Sequence, residues 1–132
     1  MKKPKGILLE YLAAFPTPAK AASLFTENGA IEIPYFASVN LPSRVVGPAD
    51  IEKFITALLT IVPNWRFSNT RVLIENDTQV FAEYEVHAYV KPNKKPFDQL
   101  FFGRLVLDEN GKIKLLREAL NSVTAQALLI KS

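Results

Sequence analysis

From Arg66 to Asn121, apolar and polar residues alternate through four runs separated by turn signals, a pattern that predicts an antiparallel meander. The turns read as Glu75-Asn76-Asp77-Thr78, Pro92-Asn93-Lys94-Lys95-Pro96 and Asp108-Glu109-Asn110-Gly111. Closing the last turn with either two or four loop residues pairs even-numbered residues of 112–121 with odd-numbered residues of 97–107. The same parity, carried through the other hairpins, puts Phe67, Asn69, Leu73, Ala82, Tyr84, Val86, Ala88, Phe101, Gly103, Leu105, Leu116 and Glu118 on one face. Glu83, Glu85, His87, Arg104 and Arg117 fall on the other as a lattice of opposite charges. A β-bulge in any of these strands flips part of the assignment. Glu118 is thereby a carboxylate on a largely apolar face, the wall of a core or pocket.

The segment before the meander reads as mostly helical. Gly6 to Phe15 places Ile7, Leu8, Tyr11, Leu12 and Phe15 at helical spacing and stops at Pro16. A second helix starts at Thr17-Pro18, a fair N-cap followed by a proline suited to the first helical position, and ends around Phe25 to Gly29. Ala30 to Tyr35 alternates as a short strand, and Phe36 to Val46 reads as a loop lying over the mouth of a cavity. After Gly47-Pro48, the residues Ile51, Phe54, Ile55, Leu58, Leu59 and Val62 form an apolar helical stripe that Pro63 ends. Asp50 and Glu52 sit at the positive end of that helix. Ser122 to Ser132 is a short apolar tail with no assigned form. The order predicts an α+β fold with helices packed on one side of the sheet.

Composition excludes several classes of function. The 132 residues read as one domain, and with 48% hydrophobic and 11% aromatic residues they can fill a core and line a cavity as well. Without cysteine the chain has no thiol nucleophile, zinc–thiolate site or disulfide, which fits a reducing compartment. There is no apolar run of membrane-spanning length, and the Met1-Lys2-Lys3 start lacks a following signal-peptide core, so a cytoplasmic protein is expected. The pI near 9.2 belongs largely to Lys2, Lys3 and Lys5: removing them takes the net charge from +3 to 3 − 3 = 0. Apart from Lys91, Lys94 and Lys95 around one turn, the remaining cations are interleaved with acids, which is not a nucleic-acid footprint.

Few residues remain as candidates for chemistry. Desolvation of Glu118 by Tyr84, Phe101 and Leu116 raises its pKa and suits it to general-acid work near neutral pH. Two other readings stay open: a structural pair with Lys114 or a buried hydrogen-bond network, and ligand binding without turnover. His87, the only histidine, falls on the charged face beside Glu85 as a solvated or interface side chain. One histidine, no cysteine and no acidic cluster leave no conventional metal site, and there is no glycine-rich phosphate loop. Trp65 and Tyr35 read as core or cavity-rim residues. Gly103 and Ala88 remove volume beside Glu118.

Several short motifs resemble the SnoaL-like proteins of the nuclear-transport-factor-2 superfamily, and among them the phenazine-biosynthesis small proteins. They are Phe25-Thr26-Glu27-Asn28-Gly29-Ala30, Gly47 before a helix, Pro63-Asn64-Trp65-Arg66-Phe67, and Gly111-Lys112-Ile113-Lys114 leading to Arg117-Glu118-Ala119-Leu120-Asn121. The resemblance implies a cone-shaped α+β barrel, its curved antiparallel sheet wrapped around N-terminal helices, with an apolar cavity, usually a homodimer and generally without metal or organic cofactor. Members include cyclases, isomerases, dehydratases and proteins without activity. Glu118 matches the acid/base glutamate of the phenazine-type proteins. Phe54 stands where those proteins carry a functional histidine, and Leu58 where they carry a serine. Both lie on one helical face, so the loss of these polar groups speaks against the same polar precursor as substrate. Asn121 stands where many SnoaL-like sequences have aspartate.

Together these readings predict a small-molecule-binding protein, with an isomerase, cyclase or dehydratase type of enzyme as its catalytic form. Glu118 would shuttle a proton, Tyr84 and Asn69 would orient a carbonyl or hydroxyl, and Phe54, Leu58 and Phe101 would enclose a hydrophobic ring, with Trp65 and Tyr35 also lining the site. The alternative is a non-enzymatic ligand-binding or dimerisation module. In that case Phe102, Val106, Ile113 and Leu115 would add apolar area to a homodimer contact through the outer sheet face.

Overall fold

The hairpin turns and two-residue periodicity give a run of long strands that dominate the architecture. A computed structural model describes residues 3–91 and 93–129. Met1 and Lys2 of the basic start, Pro92 of the second turn, and 130–132 of the tail lie outside the described residues. The meander consists of strands β3 (Phe67–Glu75), β4 (Gln79–Val90), β5 (Lys95–Leu107) and β6 (Ile113–Ala119). Before it come helices α1 (Pro4–Ala14) and α2 (Pro18–Ala22), strand β1 (Phe25–Glu32), a 3-10 turn (Pro34–Val39), strand β2 (Arg44–Val46) and helix α3 (Pro48–Ile61). A short helix α4 (Ser122–Ala125) follows β6.

The six strands form one sheet in the order β2-β1-β6-β5-β4-β3. With β2 and β3 as its edges, the sheet does not close into a barrel. All neighbours are antiparallel except β1 and β6, which run parallel. Helix α1 packs against β3, β4 and β5, and α3 against β1, so the helices cover one face. Among the described residues, no helix is long and apolar enough to cross a membrane.

Local chemistry explains the element boundaries. Gly47 adopts φ 88° at the N-cap of α3, Pro48 fills the first helical turn, and Asp50 lies at its positive end. Ile51, Ile55 and Leu58 are the buried stripe of this helix, and Val62 N–H closes on the Leu58 carbonyl at 2.8 Å before Pro63 stops it. The second helix ends earlier than the sequence pattern suggests, because the chain from Phe25 onward is captured as a strand. Phe25 pairs with Ile113 and Ile31 with Leu116, and the register shifts between Phe25 and Ala30. Gly29 sits within that irregularity, where a Cβ would lie 2.5 Å from the Ile113 carbonyl oxygen, so the two backbones approach as only glycine allows. The segment read as a loop contains a second ordered feature: Arg44–Val46 pair with Ala30–Glu32 as an edge strand.

The meander keeps the parity expected for β4, β5 and most of β6. Gly103 faces Glu118, Leu105 faces Leu116 and Tyr84 faces Phe101. Two positions in β3 require correction. Register shifts between Ser68 and Arg71, and between Val72 and Ile74, rotate Asn69 and Leu73 away from the inner face. Asn69 takes φ 52°, a left-handed conformation that asparagine tolerates, and Leu73 is exposed. A third shift, between Val106 and Leu107, turns Ile113 inward, so it is buried instead of contributing to the outer face. Val106 is also buried and Leu115 half-buried, leaving Phe102 as the exposed member of the four residues expected to form an outer apolar patch.

Candidate functional site

On the inner face, the β6 strand brings Glu118 into the core, where it retains 5% exposure. The Tyr84 hydroxyl donates a 2.5 Å hydrogen bond to Glu118 Oε2. Tyr84 reaches across from β4, over the intervening β5, because the residue between them is Gly103. A Cβ at that position would overlap the Tyr84 hydroxyl oxygen and lie 2.7 Å from the ring Cζ. Glycine here is a matter of space, not of backbone angle.

The surroundings of this pair are aromatic. Tyr84 stacks on Phe101 at 5.6 Å between ring centroids and meets Phe67 edge-on at 5.3 Å. Trp65 continues the cluster through Phe101 and Phe97. Burial pushes the Glu118 carboxyl up to about 7, and the Tyr84 hydrogen bond opposes this rise. Tyr84 is held well above the ordinary tyrosine value, first by burial and then by the nearby carboxylate charge, so it remains a neutral donor. Tyr11 of α1 is raised for the same two reasons, which brings a second buried phenol into the field of Glu118. Lys114 is exposed, and among the described residues no ion pair reaches Glu118. The carboxyl is therefore partnered by a phenol and not by a cation.

Of the residues expected to line the site, Tyr84, Phe101, Trp65 and Leu58 are buried and Phe54 is half-buried against Phe36. Tyr84, Phe101 and Trp65 are each at most 2% exposed, so they face packed side chains and not open solvent. The indole Nε1 of Trp65 is a buried donor without a hydrogen-bond partner. Two residues lie elsewhere. Asn69 donates to Glu85 Oε1 at 3.2 Å on the outer face, and Tyr35 is 57% exposed beside the sheet's outer surface.

His87 also lies outside, its two ring nitrogens 2.8 Å from Glu85 and 3.0 Å from Asp98. Asn121 is a helix cap: its Oδ1 accepts from the Val123 and Thr124 amides, while buried Gln99 clasps its backbone N–H and C=O. Among the described residues, no group of three or more His, Asp or Glu side chains is placed to hold a metal ion. Tyr11 was hidden in the sequence as one member of an apolar helical stripe, and the only signal was a hydroxyl in that stripe. Gly103 was visible as a missing side chain on the face of Glu118, but not as its direct partner or as the lane Tyr84 occupies.

Helices packed on one face of an unclosed six-stranded sheet define a fold class. The SnoaL-like domain family model matches residues 10–116, and the chain belongs to this family. The fold is similar to that of a putative isomerase from Bacillus subtilis, with a TM-score of 0.80 and 22% identity over 93% of this chain and 89% of that one. It is similar to a phenazine biosynthesis-related protein from Pseudomonas aeruginosa, with a TM-score of 0.76 and 21% identity over 97% and 86% of the two chains. A protein of ketosteroid isomerase-like fold from Catenulispora acidiphila, in complex with trimethylamine, gives a TM-score of 0.78 at 17% identity over 98% and 99%. At these identities the likeness establishes the fold. Comparison with curated protein sequences finds no match.

Proposed function

We propose that the protein binds a hydrophobic cyclic metabolite and moves protons on it, with Glu118 as general acid and base in an isomerase, cyclase or dehydratase type of reaction. The observation that carries this reading is the Tyr84–Glu118 hydrogen bond inside an apolar, cation-free environment. A carboxyl with a pKa of about 7 is populated in both protonation states near neutral pH, as a group that both gives and takes a proton must be. Tyr84 occupies Oε2, which leaves Oε1 as the oxygen that exchanges a proton with the ligand. After Oε1 gives its proton to one ligand atom, the Tyr84 hydroxyl supports the resulting carboxylate. Removal of a proton from a second ligand atom then restores the acid, for a net proton shift. Phe54, Leu58, Phe101 and Trp65 supply the apolar enclosure, and a ligand would have to part the aromatic rings packed around Glu118 to reach it.

The names of the similar proteins, a putative isomerase and a phenazine biosynthesis-related protein, are compatible with this chemistry on cyclic molecules. The test starts with native mass spectrometry of the protein against a panel of cyclic ketones and phenols, followed by incubation of each captured ligand in D2O. Wild-type protein should exchange deuterium into the bound ligand, and Glu118→Gln should slow that exchange by about 100-fold or more. Capture without exchange, or equal exchange by Glu118→Gln, would reduce the protein to a binding module.

A further inference from the structure

The outer sheet face carries a cavity of about 450 Å³ that the Glu118 chemistry does not use. Pro34, Tyr35, Phe81 and Phe102 give it apolar and aromatic walls, and Arg104 and Arg117 stand over it. Glu118 borders it only as the residue between Arg117 and Ala119, since its carboxyl is turned to the inner face and held there by Tyr84. A second cavity of about 480 Å³ adjoins the first through Tyr35, Phe102 and Ala119.

The charges on this groove do not balance. Arg104 and Arg117 are direct cross-strand partners, an arrangement in which like charges repel. Arg117 is relieved by Glu32 at 3.1 Å, but the same carboxylate also serves Arg44 at 3.1 Å. The hydrogen-bonded partner of Arg104 is the neutral amide oxygen of Gln79, at 2.9 Å. The nearby acids are engaged elsewhere, Glu83 with Arg71 and Asp98 with His87. Two guanidiniums therefore share the Glu32 carboxylate, and Arg104 has no carboxylate partner among the described residues, beside exposed aromatic surface. Tyr35 is 57% and Phe102 40% exposed.

We infer that this groove is a binding site for a planar hydrophobic organic anion, an aromatic carboxylate whose ring lies between Tyr35 and Phe102 and whose charge meets Arg104 and Arg117. A guanidinium fork matches a carboxylate in geometry, and the aromatic walls take the ring. A second copy of the chain is less suited to this end of the face. An isologous contact centred on the groove would set Arg104 and Arg117 of the two copies against one another.

The probe is 2-naphthoate, titrated into the full chain by calorimetry and by NMR, with 2-naphthalenemethanol and inorganic phosphate as comparisons and light scattering for the oligomeric state. Naphthoate should bind and perturb Phe102 and Tyr35. The neutral alcohol, and naphthoate with Arg104→Gln, should each bind about 10-fold more weakly. An unchanged unfolding midpoint would show that this variant is folded. Phosphate binding as tightly as naphthoate, equal binding of alcohol and acid, or no effect of Arg104→Gln would overturn the site. So would a homodimer that excludes naphthoate, which would assign the face to an interface between copies.

Discussion

The phenol of Tyr84 lies in the volume that a side chain on Gly103 would need. Ala82 and Glu118 flank Gly103 on the neighbouring strands, and the Tyr84 ring crosses over it to reach the carboxyl. Replacing Gly103 with alanine should push Tyr84 off Glu118, with a stability loss of about 1–3 kcal/mol from overpacking. Because the Tyr84 hydrogen bond lowers the Glu118 pKa, its loss should move that pKa further above about 7. Tyr84→Phe should raise it in the same direction without the steric cost. Carboxyl titration by NMR alongside urea unfolding separates the two effects. A destabilised Gly103→Ala with an unmoved Glu118 pKa would show that the glycine serves packing alone.

Glu118 should make stability depend on pH in a distinctive sense. Its folded pKa of about 7 exceeds the ordinary carboxylate value of 4.5, so between these values the folded state holds a proton that the unfolded chain has released. Stability should therefore fall as pH rises through this window and level off above it, by on the order of 3 kcal/mol in total. This is the reverse of the usual salt-bridged carboxylate. Urea midpoints from about pH 4 to about pH 8 would reveal the slope, and Glu118→Gln should flatten it.

The same substitution tests how Glu118 is partnered. With a phenol and no cation beside it, Glu118→Gln should leave stability at neutral pH within about 1 kcal/mol of the parent, or raise it. A loss of about 3–5 kcal/mol, the signature of an orphaned buried cation, would require withdrawing the general-acid assignment.

His87 offers a cleaner titration, because it is the only histidine. Its hydrogen bonds to Glu85 and then Asp98 raise its pKa above the ordinary histidine value of 6.5. The stability it confers is fully present below the unfolded pKa and is lost as pH rises through the folded one. Glu85→Gln should lower the histidine pKa more than Asp98→Asn does, as followed by the imidazole proton shifts. The opposite ranking would place the stronger contact on β5.

Asn121 should behave as a cap and not as an acid. Asn121→Ala should cost about 1 kcal/mol by removing the acceptor for the Val123 and Thr124 amides. Asn121→Asp should keep most of that stability in thermal unfolding, and a large loss with aspartate would contradict the capping role.

What was legible in the sequence followed local rules. The shared face of Gly103 and Glu118 came from turn length and a two-residue period, both local, whereas their direct pairing depends on the register shift between Val106 and Leu107 that those turns did not signal. The N-terminus of α3 was equally local, with Gly47-Pro48 and Asp50 marking it. Asn69 was misplaced because a bulge adds residues to one strand without any change in the apolar pattern. Ala30 to Glu32 was legible as strand, but its first part from Phe25 was hidden because its partner, β6, lies far along the chain and pairs in parallel. The filling of the interior was out of reach for a different reason. Alternation assigns residues to a face, whereas the stacking of Tyr84 on Phe101 and of Trp65 on Phe15 decides how much space that face leaves.

The parallel pairing of β1 with β6 also bears on when the acid becomes an acid. Hairpins β3–β4, β4–β5 and β5–β6 join neighbours in sequence, but Ile31 and Leu116 meet only after the chain has closed a long loop, an entropically late event. Until then β6 is an edge strand, and the burial that raises the Glu118 pKa is incomplete. Its carboxyl would titrate like any other. The proton affinity of one side chain is in this way a record of chain closure, acquired when the two ends of the molecule are joined.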